Sequence, residues 1–164
     1  AKYLSQTIDD FRNFFHPEKN ITYFNINNPI DQTIKLTSAQ FKNHNIQIIK
    51  DIEDIEIHSL ENEIVQVLIN LLNNARDELI KKDYEKYIFI QTKQKDNYLI
   101  ISIKDNAEGV PKDIINRIFE PYFTTKFKSQ GTGIGLYMTE EIVTKHLKGT
   151  INILNCSFIY NKQN

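Results

Sequence analysis

The sequence predicts an α+β fold, with a mixed sheet covered on one face by helices. Three observations predict it. Helical periodicity and β-rich runs follow one another in the order α-β-α-β-β-α-α-β, which is not the regular alternation of a doubly wound parallel sheet. The β-rich runs 87–92 and 98–104 are separated only by the polar Lys93-Gln94-Lys95-Asp96-Asn97, a hairpin pattern. The run 60–81 sets Leu60, Ile64, Val67, Leu68, Leu71, Leu72 and Ala75 on one broad apolar face.

Taken in order, residues 2–15 carry Leu4, Ile8, Phe11 and Phe15 on one helical stripe, which Pro17 ends. A lone amphipathic helix has little to bury itself against, so this one reads as a connecting or partner-facing segment. Asn28-Pro29 predicts a helix start, with Asn as N-cap and Pro at the first position, and Ile30, Ile34 and Phe41 continue its stripe. Residues 46–52 read as a strand. Pro111 opens a short helix through Ile118. Residues 135–148 predict another helix, closed by Gly149, and 150–155 a further strand. The polar stretch 124–133 has little to bury and reads as the most mobile loop.

Size and composition bound the function. A chain of 164 residues is one domain by default, and 40% hydrophobic residues supply a real core. A net charge of −1 argues against a nucleic-acid binder with a broad basic surface. The single cysteine, Cys156, cannot close an intramolecular disulfide. No run approaches the ~18 apolar residues of a membrane span. The opening Ala1-Lys2-Tyr3 lacks the apolar stretch of a signal peptide, so a cytoplasmic domain is expected.

Several residue patterns carry chemical meaning. On the 60–81 helix, Glu63, Asn70, Asn74, Asp77 and Lys81 form a second stripe beside the apolar one. Such a stripe is ordinarily a solvated face. Two asparagines are odd there, since Asn is a mediocre helix former. A carboxamide oxygen suits a magnesium ion already surrounded by phosphate oxygens. Asp105 ends a β-rich run; by itself that reads first as an ordinary Asp-Asn turn, and it also suits an acceptor for the exocyclic amine of adenine. Gly109 lets the backbone approach a flat base. Gly131-Thr132-Gly133-Ile134-Gly135 leads into a helix, so it reads as an anion-binding helix start or as a flexible hinge. It is neither a Walker A loop nor a Rossmann fingerprint. Phe119, Tyr122 and Phe123 read as core, and Lys126 as a phosphate partner or a solvated lysine. No histidine has a phosphate-acceptor pattern around it, and no catalytic triad or zinc cluster is visible.

Four motifs in fixed order carry a resemblance: Asn70-Leu71-Leu72-Asn73-Asn74-Ala75, Asp105-Asn106-Ala107-Glu108-Gly109, Phe119-Glu120-Pro121-Tyr122-Phe123-Thr124-Thr125-Lys126 and Gly131-Thr132-Gly133-Ile134-Gly135-Leu136. They resemble the N, G1, F and G2 boxes of the ATP-binding catalytic domain of bacterial two-component sensor histidine kinases, nearest the nitrogen-regulatory type. That domain belongs to the superfamily shared with DNA gyrase B, Hsp90 and MutL. The resemblance implies a Bergerat fold, a two-layer α/β sandwich with a mostly antiparallel mixed sheet. It implies the end of a dimerisation helix and linker over 1–19, and the catalytic domain over 20–164.

The resemblance also implies the site. Asn74 would bind Mg²⁺, with Asn70 and Asp77 beside the triphosphate of ATP. Asp105 would recognise adenine, lined by Gly109, Val110 and Phe119, with Leu136 packed near the base. Thr124, Thr125, Lys126, Gly131, Thr132 and Gly133 would form a lid over the phosphates, and Gly135 the helix start. Asn70 and Lys126 are the candidate catalytic residues. In the ATPase branches, the position of Asn70 holds a water-activating Glu. Asn cannot act as that base, which favours transfer to a histidine over hydrolysis. The implied partners are the dimerisation and phosphoacceptor domain of the same protein, a cognate response regulator and a second copy, in a membrane-bound sensor kinase. A general ATPase of the superfamily and a nucleotide-independent regulatory module are the alternatives.

Three departures stand out. Ala107 replaces the first glycine of the second box, Asn74-Ala75-Arg76-Asp77-Glu78 is closer to the gyrase-like pattern, and the family's last strand is missing by Asn164. An unpaired sheet edge and a weakened adenine pocket are expected from the last.

Overall fold

The protein is described by a computed structural model, over residues 20–125 and 133–161. The helix expected over 2–15 lies outside those residues, as do Lys126, Gly131 and Thr132.

Strand β1 (Thr22–Asn25) leads into helix α1 (Asn27–Asn43). Strands β2 (Ile46–Asp51) and β3 (Glu56–Ser59) precede helix α2 (Glu61–Leu79). Strands β4 (Lys86–Lys95) and β5 (Tyr98–Asp105) form the hairpin, then a 3₁₀ turn spans Ile115–Arg117. Helix α3 (Gly135–Glu141) continues as a π-turn, Ile142–His146.

The main sheet has the order β2-β4-β5, with β2 parallel and β5 antiparallel to β4. A separate antiparallel ribbon pairs β1 with β3, setting Phe24 opposite Ile57. The chain is therefore α+β with a mixed sheet, as its element order predicts. Alternation decides which sheet face is covered. Ile88 and Ile90 point into the core, which also holds Ile26, Ile30 and Phe41 around α1 and Ile64, Leu68, Leu72 and Leu79 of α2. Phe89 points the other way. There Phe158 and Tyr160 meet it edge-on at 5.3 and 5.1 Å between ring centroids.

Several expectations change. Strands β1 and β3 were not legible, because runs this short carry little periodicity. The Asn28-Pro29 start moves: α1 begins at Asn27, whose N–H donates to Asn25 Oδ1 at 2.9 Å. Pro29 still lies in the first turn, where its missing N–H costs nothing. The short helix expected from Pro111 shrinks to the 3₁₀ turn. The helix expected over 135–148 loses its α geometry after Glu141. The strand expected at 150–155 joins no ladder, and among the described residues β5 pairs only with β4. Strand propensity records fit to a half-buried surface, and here Asn155 and the aromatic contacts that follow hold the segment elsewhere.

Candidate nucleotide-binding site

One open cleft collects most of the chemistry-bearing residues. Asn70, Asn74 and Asp77 reach it from α2. Asp105, Gly109 and Val110 come from the end of β5 and the loop beyond. Thr124, Thr125, Gly133, Gly135 and Leu136 border it from the segments before and at the start of α3. Phe119 does not line it; its neighbours Ile118 and Phe123 do.

The end of β5 is held by side-chain bonds. Asn106 Oδ1 accepts from the Tyr87 N–H at 2.8 Å, and its amide donates to the Glu85 carbonyl at 2.8 Å. These bonds tie Asp105 to the start of β4. The Ala107 N–H donates to Asp105 Oδ1 at 3.0 Å. Burial pushes the Asp105 carboxyl above the ordinary aspartate range; the Ala107 bond opposes this, and the charge of Glu78 adds to it. Ala107 is not among the positive-φ residues, so the methyl group there carries no backbone strain. It packs against the core instead.

Gly109 adopts φ 78°, and a Cβ there would lie 2.6 Å from Asn155 Oδ1. Asn155 reads the next residue like a strand partner: the Val110 N–H donates to its Oδ1 at 2.8 Å, and its Nδ2 donates to the Val110 carbonyl at 2.7 Å. Asn155 and Asn106 thus position the loop, and sequence reasoning missed both. The only signal was an asparagine at the end of each of two β-rich runs. Gly133 has φ 71°, and a Cβ there would meet the Tyr122 backbone at 2.4 Å. Only glycine permits that close approach between the segments flanking 126–132.

On α2 the polar stripe is not uniformly solvated. Glu63 is 4% exposed and faces His146 Nδ1 at 3.4 Å. Asn70 is cross-linked: its Nδ2 donates to Thr139 Oγ1 at 3.2 Å, and its Oδ1 accepts from Gln66 at 3.3 Å. Asp77 pairs with Arg76 at 2.9 Å. Asn74 projects from the same helix one turn beyond Asn70. Among the described residues nothing lies within 4 Å of a Cβ position at Gly135.

Among the described residues no group of three or more His, Cys, Asp or Glu side chains can hold a metal. No helix among the described residues is long and apolar enough to cross a membrane.

The covered sheet and this cleft define a nucleotide-binding α+β domain. The chain belongs to the Histidine kinase-, DNA gyrase B-, and HSP90-like ATPase family, whose model matches residues 59–162. Within that family its similarities are to sensor histidine kinases. It is 31% identical over 89% of its length to a putative sensor protein of Shewanella frigidimarina, and 32% identical over 84% to sporulation kinase A of Bacillus subtilis. It spans only 22% of the length of each. The nucleotide-free catalytic domain of histidine kinase ThkA matches with a TM-score of 0.68 at 29% identity, over 77% of this chain and 82% of that one.

Proposed function

We propose that this chain is the domain that binds ATP with Mg²⁺ and presents the γ-phosphate to a histidine on a dimerisation domain outside these residues. The observation that carries the reading is the convergence of Asn70 and Asn74, the Asp105–Val110 loop and the start of α3 on one cleft. Asp105 accepts from the adenine amine, and Val110 and Leu136 line the base. Asn74 supplies an oxygen to Mg²⁺, which when bound neutralises phosphate charge. Thr124, Thr125 and Gly133, with Lys126, Gly131 and Thr132, cover the phosphates. Asn70 holds no proton-accepting carboxylate towards water, so the cleft positions a phosphoryl group without activating hydrolysis.

A response regulator then receives the phosphate. The full protein acts as a homodimer, attached to a membrane-bound sensor. The reading is supported by the similarity to sensor histidine kinases.

Calorimetric titration with ADP and Mg²⁺ tests the site. Wild type binds, and Asp105→Asn, which places a donor beside the adenine amine, weakens binding by about 100-fold. No heat with wild type, or unchanged affinity in the variant, removes the assignment.

A further inference from the structure

Two polar pairs cross from α2 to the helix that starts at Gly135. Asn70 meets Thr139, which is 0% exposed, and Glu63 meets His146. The two contacts run in opposite chain directions along the two segments, so they lie on one antiparallel seam. Extending the seam's register by one more turn from the Asn70–Thr139 bond sets Asn74 opposite Gly135, where no described residue lies within 4 Å of a Cβ position. A slip of one residue along the seam displaces that facing pair by about 1.5 Å and turns it by about 100°.

We infer that the Glu63–His146 pair is a positioning device of the nucleotide cleft, fixing the register that sets Asn74 against Gly135. A carboxylate buried in the first turn of α2 is costly unless paired. A polar contact buried between two helices adds little net stability, and its best-attested use is to specify register. The π-turn serves the same end. Leu147 N–H donates to Ile142 O at 2.9 Å, so the helix takes up one extra residue before His146. In an unbroken α-helix the same spot would fall to Lys145, whose charge is instead engaged by Glu141. The inference rests on the nucleotide reading of the cleft for its consequence, but the seam itself does not.

The test is titration of the full chain with ADP and Mg²⁺, comparing wild type, Glu63→Gln, His146→Gln, the double variant and Thr92→Val. Thr92 is 1% exposed in β4, and its Oγ1 accepts from the Glu53 N–H at 2.9 Å. It lies away from the cleft, so Thr92→Val reports what destabilisation alone does. Each single seam variant raises Kd about tenfold, the double variant no further, and Thr92→Val leaves it unchanged. A rise below about threefold in the seam variants, or an equal rise in Thr92→Val, overturns the inference. Should wild type not bind ADP, the nucleotide reading fails, and the seam is judged on the nucleotide-free protein. The amide resonances of Asn74, Gly135 and Leu136 then move in Glu63→Gln and stay in Thr92→Val. Resonances that stay in Glu63→Gln, or that move equally in Thr92→Val, overturn it.

Discussion

Asp105 shows the conflict between a binding site and a stable fold in one side chain. Burial penalises its charged form, so the folded protein holds the proton more tightly than the unfolded chain does. Because the folded pKa is raised, the penalty is fully present above that pKa and fades as pH falls through it. Asp105→Asn keeps an oxygen for the Ala107 N–H but removes the buried charge. Nucleotide-free Asp105→Asn is therefore more stable than wild type at neutral pH, and the difference shrinks towards about pH 4. Urea unfolding at both pH values checks this; a lower midpoint for the variant at neutral pH contradicts it. The chemical type of Asp105 was legible, because an aspartate closing a strand is a local pattern. Asn106 and Asn155 were not. Their partners, Glu85 and Val110, are distant in sequence, and only folding brings them within hydrogen-bond reach.

At the scale of elements, α2 does two jobs with two faces. Its apolar face closes the core, where Leu72 is fully buried between the helices and β4. Leu72→Ala leaves a cavity there and costs about 2–5 kcal/mol. Chemical denaturation with an unchanged m-value measures it; a loss under about 1 kcal/mol shows that the site collapses around the gap. The other face was read as a single polar stripe, since periodicity resolves direction around the axis but not what lies opposite. The structure divides it. Glu63 is buried against His146, Asn70 is bonded to Thr139, and Asp77 pairs with Arg76. The helix after Gly135 was legible in extent, but its π-turn was not, because one extra residue in a turn leaves hardly any trace in hydrophobic spacing.

For the whole molecule, the proposed function separates the phosphate-donating half of a reaction from its acceptor. No histidine of this chain carries an acceptor pattern, and those that the structure describes have other surroundings: His44 caps the end of α1, His58 stacks on Tyr23 at 4.1 Å, and His146 faces Glu63. Incubated with radiolabelled ATP, the chain alone retains no acid-labile phosphate. Adding a dimerisation domain with an acceptor histidine puts label on that domain. Label on this chain's own histidines, or rapid release of inorganic phosphate, contradicts the transfer reading. The sequence by itself determined the main elements, the α+β class and the residue types of the candidate site, because periodicity, glycine placement and strand-end polar residues are local properties of the chain. Only the tertiary structure decided the small β1–β3 ribbon, the unladdered path of 150–155, the asparagine clamps and the register of α2 against α3. Each of those depends on groups far apart in sequence, whose pairing carries no local signature.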